Sequence, residues 1–378
     1  MKYEVFWKNP DYIIRPELKE DINCDYLIVG GGITGVSMAY FLIKLGAKNI
    51  VLIEKDYIAS GATGKAAGTL ALRGEIDLLL LNEIKGKEET VKQWKQLHND
   101  FKLIKKIIND ENIDCDAEPQ DTLYCTLKGK SYEYLKQEYG MEKNLETTTK
   151  FLEGNELKKE INTNLFYQGI LSANHGLSVN PLKLTQNLSK TVEKYGVKIY
   201  EHTAYLGNEN NIAKTHHGHI HYKKIILAID VDYPSEKVKN NKSTIIVTEQ
   251  LTKDELVQTG LNKKKIIFDD EENNNYYYLK ATKEDRLLLG FGNIIVHKKY
   301  KKTDPHFPHL KDIENFLKKL FPYLNIKSEY VWSGTFGITD NYEPIIEYEG
   351  DRVAISGAGS QVVCFMTAKE VASKIFVI

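Results

Sequence analysis

The chain is poor in several residue types, and each shortage excludes something. Of 378 residues only 4 are cysteine (Cys24, Cys115, Cys125 and Cys364), with no Cys-x-x-Cys pair and no Cys/His ligand spacing. A disulfide scaffold and a zinc ribbon are therefore excluded, and reduced thiols of a cytoplasmic protein are expected. Arginine is equally scarce: Arg15, Arg73, Arg286 and Arg352 are the only ones among 51 basic residues. Those 51 bases face 52 acids with no long run of one sign, so the footprint of a nucleic-acid binder is missing. No apolar run approaches a membrane span, and even Ile76–Leu81 is far too short. The opening MKYEVFWKNPDY lacks the apolar stretch of a signal peptide and reads as an extended arm. Length and an ordinary 42% hydrophobic content leave room for two domains with filled cores.

What the chain does have is DYLIVGGGITGVSMAYFLIKLGAKNIVLIEK, Asp25 to Lys55. Tyr26–Val29 reads as a buried strand, and Gly30, Gly32 and Gly35 follow at G-x-G-x-x-G spacing. Val36–Leu45 then reads as a helix stopped by Gly46, and Ile50–Ile53 as a second strand ending on Glu54. That is the context a dinucleotide turn requires. Gly30 permits the tight turn, Gly32 lets backbone approach a pyrophosphate, and Gly35 lets the helix pack close to the strands. The phosphates then meet the positive end of the helix beginning near Ile33. Glu54 accepts from ribose hydroxyls and repels a 2′-phosphate, which speaks against NADP. A bound dinucleotide is expected.

Ala59–Leu70, ASGATGKAAGTL, is too rich in small residues to form a core. Directly after the turn unit it reads as a ligand lining, with Ser60, Thr63 and Thr69 supplying hydroxyls. Residues 74–112 are helical in pattern, with Trp94, Leu97, Phe101, Ile104 and Ile108 as a core stripe. Asn180-Pro181 starts an amphipathic helix to Tyr195. His216, His217, His219 and His221 sit in a polar hairpin with no acid or cysteine partner nearby, so a solvated edge is expected and no metal. Residues 243–300 read as hairpins, and Asp312–Leu320 as a helix. Val353–Ser356 reads as a strand running through Gly357-Ala358-Gly359 into a helix from Gln361, a second positive helix end.

In this order the segments resemble the D-amino-acid-oxidase-like FAD-dependent oxidoreductases, the group of glycine oxidase, sarcosine oxidase and γ-glutamylputrescine oxidase. The resemblance spans nearly the whole chain. It rests on the glycine turn and on ASGATGKAAG, HGLSVNPLKL, IIVTEQL, YYYLKATKEDRLLLGFG, WSGTFGITDNYEPII and ISGAGSQVV. The early tryptophan and WSGTFGIT look most like the γ-glutamylputrescine oxidase branch. The resemblance implies an α/β chain (α+β overall) with a Rossmann-like FAD-binding domain of the glutathione-reductase type. That domain is expected in three segments, 1–80, 171–235 and 331–378, with a mixed antiparallel-sheet substrate domain from 81–170 and 236–330.

It also implies FAD as cofactor. Gly30, Gly32, Ile33, Thr34 and Gly35 fall at the pyrophosphate, Glu54 and Lys55 at the adenosine ribose. Ser60, Thr63, Gly64 and Ala67 fall along the flavin, and Gly357, Gly359, Ser360 and Gln361 at its N1–C2 carbonyl side. Two departures shape the expectation. Thr335 and Phe336 follow Gly334 where glycine oxidase carries an arginine, and Ser333 stands near the place of sarcosine oxidase's flavin-tethering cysteine. FAD is therefore expected to be non-covalent.

The expected reaction is oxidation of a small amine or amino acid to an imine, by hydride transfer to flavin N5 with oxygen as acceptor. Tyr276, Tyr278 and Trp332 are expected to wall the pocket, Lys280 to act on oxygen as a buried cation, and Arg73 or Lys280 to meet a carboxylate. Two rivals stand beside this: a dehydrogenase passing electrons to a quinone or protein, and a non-catalytic flavin-binding subunit. An NAD-only dehydrogenase would leave the turn at 357–359 without a purpose. An oligomer is compatible with all of these.

Overall fold

The computed structural model describes residues 1–72, 77–127, 132–145, 148–261, 265–271, 275–292, 307 and 309–377. Among the described residues there are two sheets, and apolar runs build the first. Arg352–Ser356, His219–Leu227, Ile22–Val29, Ile50–Ile53 and Lys198–Tyr200 lie side by side in that order, all parallel. Ile345–Glu349 adds an antiparallel edge, and Asn208–Glu209 with Ile212–Lys214 adds a hairpin. Parallel strands are covered on both faces and so read as continuous apolar runs. Ile28 faces a core shared with helices Ile33–Lys44, Pro181–Lys194 and Gln361–Val377. Leu27 and Val29 face a second core that includes Leu18 from the lead-in.

Among the described residues the larger sheet has nine strands and is mostly antiparallel. Its order is Ser328–Ile338, Lys239–Thr248, Leu287–Gly292, Asn275–Ala281, Lys265–Glu271, Glu118–Leu127, Phe166–Ser178 and Thr69–Ala71, with Thr149–Glu153 on the flank of Phe166–Ser178. Lys265–Glu271 and Glu118–Leu127 form its parallel pair. One face packs on helices Gly154–Glu160, Lys253–Thr259 and Leu310–Leu320. The other carries Trp7, Ile245, Val247, Leu288 and Trp332 as a separate apolar cluster.

Several expectations need correction. The helical stretch expected over 74–112 is, in its described part from residue 77, two helices, Leu78–Lys85 and Lys87–Asp110, broken at Gly86, whose φ of 78° ends the first. Helix Lys253–Thr259 interrupts the region read as hairpins; its signal was the Thr252/Glu255 capping box. The histidine hairpin does meet acids, brought by the arm from far along the chain: His217 pairs with Glu17 at 3.4 Å and His219 with Asp21 at 3.2 Å. Arg73 lies outside the described residues, as does the side chain of Tyr276.

The arm crosses from one sheet to the other. Lys2 bridges Tyr330 of the larger sheet, Trp7 is buried, and Asn9 Nδ2 donates to Gln186 Oε1 at 2.9 Å. Arg15 then pairs with Glu193 at 2.5 Å, and its backbone N–H donates to the buried Glu201 carboxylate. Among the described residues no helix is long and apolar enough to cross a membrane.

Candidate functional site

A cavity of about 1480 Å³ is lined from both sheets, by Val29, Leu227 and Ile355 of the first and Tyr124, Ile245 and Tyr278 of the second. At one end is the glycine turn. Gly30 has a φ of 108°, and a Cβ there would lie 2.4 Å from Ala228 O. A Cβ at Gly35 would lie 2.0 Å from Gly30 O, so only glycine lets this helix seat on its own turn. Gly31, which the spacing argument passed over, is less constrained, since its Cβ would meet Ile58 Cδ1 at 2.5 Å, the end of a side chain that can move aside.

Glu54 ties the turn to the second strand. Its Oε2 accepts from Gly31 N at 2.7 Å and its Oε1 from Asp56 N at 2.9 Å. Burial pushes its carboxyl up, and those two N–H groups hold it down. A carboxylate has roughly four lone-pair sites, so these bonds leave capacity for ribose hydroxyls. Lys55, beside it at the rim, pairs with Asp232.

Gly30, Gly32, Ile33 and Thr34 border the cavity, whereas Gly35 lies beneath the turn. Of the small-residue segment, Ser60, Thr63 and Ala67 border it. Gly64 does not; a Cβ there would stand 2.1 Å from Ala59 O, so its glycine serves a close backbone contact. Thr63 Oγ1 accepts from Ile33 N at 3.1 Å, satisfying a helix-start N–H that Gly32 has no side chain to cap.

The C-terminal turn closes the opposite wall. Gly359, Ser360 and Gln361 border the cavity, and Gly357 is set back with a φ of 69°. Gly357 N donates to Asp230 Oδ1 at 3.2 Å and Gly337 N to Asp230 Oδ2 at 3.0 Å. Burial raises the Asp230 carboxyl and these bonds oppose it. Sequence reasoning missed Asp230; its signal was an acid just past the apolar run Ile225–Ile229, where a strand meets the cavity.

The far end is aromatic. Tyr124, Tyr134, Tyr278 and Phe336 border it, with Lys242, Ser333 and Thr335. Tyr278 OH lies 3.2 Å from Ser243 Oγ, and its ring lies over Gly290, where a Cβ would approach Tyr278 Cζ to 2.1 Å. Trp332, expected on this wall, and Lys280, expected to act on oxygen, do not border the cavity. Both are buried behind the Lys65–Thr69 segment: Trp332 Nε1 donates to Lys65 O at 2.8 Å, and Lys280 Nζ donates to Gly68 O and Ser178 Oγ, each at 2.7 Å. Burial lowers the Lys280 ammonium to about 7.

These residues fit a dinucleotide with a ring system. The glycine turn leaves backbone bare at a positive helix end. Beside the second positive end, Gln361 borders the cavity, and its amide nitrogen donates to Thr63 O at 3.3 Å, tying the C-terminal turn to the small-residue segment on the opposite wall.

Residues 25–373 match the DAO family, FAD dependent oxidoreductase. Gamma-glutamylputrescine oxidoreductase of Escherichia coli (strain K12) is 27% identical over 339 residues, 85% of this chain and 76% of that protein. Glycine oxidase from Geobacillus kaustophilus shares the fold with a TM-score of 0.77 at 15% identity, over 93% of this chain and 94% of that one. L-Proline dehydrogenase from P. horikoshii gives a TM-score of 0.74 at 18% identity, over 95% and 93%. At such identities the two structures speak for the fold alone. The family match runs through both sheets and both glycine turns, and on it the chain belongs to the DAO family of FAD-dependent oxidoreductases.

Proposed function

We propose that the protein oxidises the C–N bond of a small amine or amino acid to an imine, with non-covalent FAD in this cavity and oxygen as final acceptor. The observation that carries the reading is one continuous cavity joining the dinucleotide turn to an aromatic wall. When bound, FAD supplies the acceptor for the hydride that leaves the substrate α-carbon, after which water hydrolyses the imine.

The chain supplies position and environment. Gly30, Gly32, Ile33 and Thr34 hold the pyrophosphate, and Glu54 with Lys55 the adenosine ribose. Ser60, Thr63 and Ala67 line one side of the ring. Gly359, Ser360 and Gln361 line the other, where the helix Gln361–Val377 stabilises negative charge with its positive end. Gly35, Gly64 and Gly357 shape these turns from behind. Tyr124, Tyr134, Tyr278 and Phe336 exclude water and hold the substrate carbon in place, and the neutral amine is the form that gives up the hydride. The relative named for γ-glutamylputrescine favours an amine, whereas Lys242 at the aromatic end is a cation that a carboxylate would meet, so an amino acid stands beside the amine as substrate class. We assign residues 1–80, 171–235 and 331–378 to FAD and 81–170 and 236–330 to substrate. Strands Thr69–Ala71, Phe166–Ser178 and Ser328–Ile338 reach from the FAD segments into the larger sheet.

A second reading has one observation in its favour. Lys280 is engaged with Gly68 and Ser178 and does not border the cavity, so it brings no cation to oxygen there; a quinone or protein acceptor is then the alternative. Anaerobic mixing with primary amines, secondary amines and small amino acids tests both. Bleaching by an amine, followed by fast recovery and peroxide release on admitting air, is the expected result. Bleaching with slow recovery in air favours the second reading, and a flavin that no compound bleaches contradicts both.

A further inference from the structure

The segment Lys65–Thr69 borders the cavity, and its backbone is held from behind by three buried donors. Trp332 Nε1 donates to Lys65 O at 2.8 Å, Trp7 Nε1 to Ala66 O at 2.8 Å, and Lys280 Nζ to Gly68 O at 2.7 Å. None of the three side chains borders the cavity itself. Trp7 and Trp332 belong to one apolar cluster, and the Lys280 ammonium lies 5.3 Å from the Trp7 ring centroid. The donors come from the arm and from two strands of the larger sheet.

A planar trans peptide points its N–H opposite to its C=O. Holding a carbonyl from behind therefore aims the next residue's N–H forward. The Trp332 bond aims the Ala66 N–H, which is already donated to Thr63 O at 3.3 Å. The Lys280 bond aims the N–H of Thr69, a strand residue paired with Ser178. The Trp7 bond aims the N–H of Ala67, which has no acceptor among the described residues. Ala67 borders the cavity and Trp7 does not, so this N–H is turned toward the cavity.

We propose that Trp7 is a positioning residue for the cofactor: its indole N–H sets the Ala66–Ala67 peptide so that the Ala67 N–H meets an acceptor atom of bound flavin. The proposal rests on FAD occupying this cavity. The indole has a fixed seat, because the arm is anchored on both sides of it. Lys2 pairs with Glu329 at 2.8 Å, and Asn9 bonds Gln186 at 2.9 Å. The other end of the segment is equally fixed, since Gly68 has a φ of 69° and a Cβ there would lie 2.2 Å from Val179 O.

The test compares the FAD-loaded parent with W7F and W332F. W7F keeps a ring in the cluster and removes the donor. FAD affinity is expected to fall roughly 3- to 10-fold in W7F, the loss of one hydrogen bond, with a shifted flavin absorption. W332F removes a bond of the same kind from a peptide whose N–H is already taken by Thr63, so its change is expected to be less than half as large. Equal changes in the two variants, or none in W7F, would overturn the proposal. Amide hydrogen exchange on the unaltered protein gives an answer even if W7F does not fold. FAD is expected to slow exchange at the Ala67 amide, and unchanged exchange there with FAD bound would overturn the proposal. An unaltered protein that binds no FAD would remove the cofactor reading and this proposal together.

Discussion

The two ends of the cavity are held by opposite means. At the dinucleotide turn the structure depends on atoms that are missing. Cβ atoms at Gly30 and Gly35 would stand 2.4 and 2.0 Å from the carbonyl oxygens of Ala228 and Gly30, so bare backbone packs on backbone. At the aromatic end it depends on atoms that are added. Trp7, Lys280 and Trp332 reach across 59, 212 and 267 residues of chain to hold three carbonyls of one short segment. The first arrangement is carried by backbone contacts and admits no side chain at Gly30 or Gly35. The second is distributed, so each part is expected to be weaker alone and to tune position more than decide folding.

That contrast predicts a graded series. The largest effect is expected for G35A, which drives a methyl group into Gly30 O and so disrupts the turn; a loss on the order of 3 kcal/mol in stability and failure to retain FAD through gel filtration are the readouts. G68A comes next, since it forces a left-handed residue to carry a Cβ against Val179 O. A cost of about 2 kcal/mol is expected by urea denaturation. E54Q should be milder. Both Glu54 oxygens accept from N–H groups, so the amide nitrogen must face Gly31 N or Asp56 N, donor against donor. FAD binding about tenfold weaker is expected by fluorescence titration.

Lys280 sharpens the comparison through pH. Its folded-state value of about 7 lies below the ordinary 10.5, because burial disfavours the cation. Between those values the unfolded chain binds a proton that the folded chain has released, so this group makes stability rise with pH across that window. The slope approaches about 1.4 kcal/mol per pH unit. Buried Cys24 and Cys115, both pushed up to about 12, act in the opposite sense above the ordinary thiol range. The readout is therefore the difference between the parent and K280M, in which the thiols cancel. A flat difference would mean that the clamp does not hold its lysine as described. The smallest effect is expected for H217A and H219A, exposed pairs remote from the cavity, each within about 0.5 kcal/mol of the parent and with unchanged FAD binding.

The same contrast explains what could be read from the sequence. The strands, the glycine turn, Glu54, the Asn180-Pro181 helix start and the C-terminal turn were legible because each is a local pattern of spacing and period. Asn180 does cap its helix, accepting from Lys183 N at 3.1 Å. Helix Lys253–Thr259 was legible in principle from its capping box but lay among strand-like runs. Gly86 was read as a helical position because a stripe of apolar residues does not register where φ turns positive. Gly64 and Gly357 were placed on the cofactor side; Gly64 answers a backbone contact with Ala59 O, and Gly357 a φ of 69° with the Thr339 side chain close behind it. The clamp was illegible: nothing near Trp7, Lys280 or Trp332 in the chain says that all three meet one segment. Asp230 was missed for a related reason, since its two N–H donors come from Gly337 and Gly357, far along the chain.

The central claim is that this cavity holds FAD by the glycine turn at one end and the clamped segment at the other. Its most direct test is the crystal structure of the FAD-loaded protein. The account predicts the pyrophosphate on Gly30, Gly32 and Ile33, ribose hydroxyls on Glu54, and the ring between Ala67 and Gln361. A protein that takes up no FAD, or that binds it with the ring away from Ala67 and Gln361, would contradict the account.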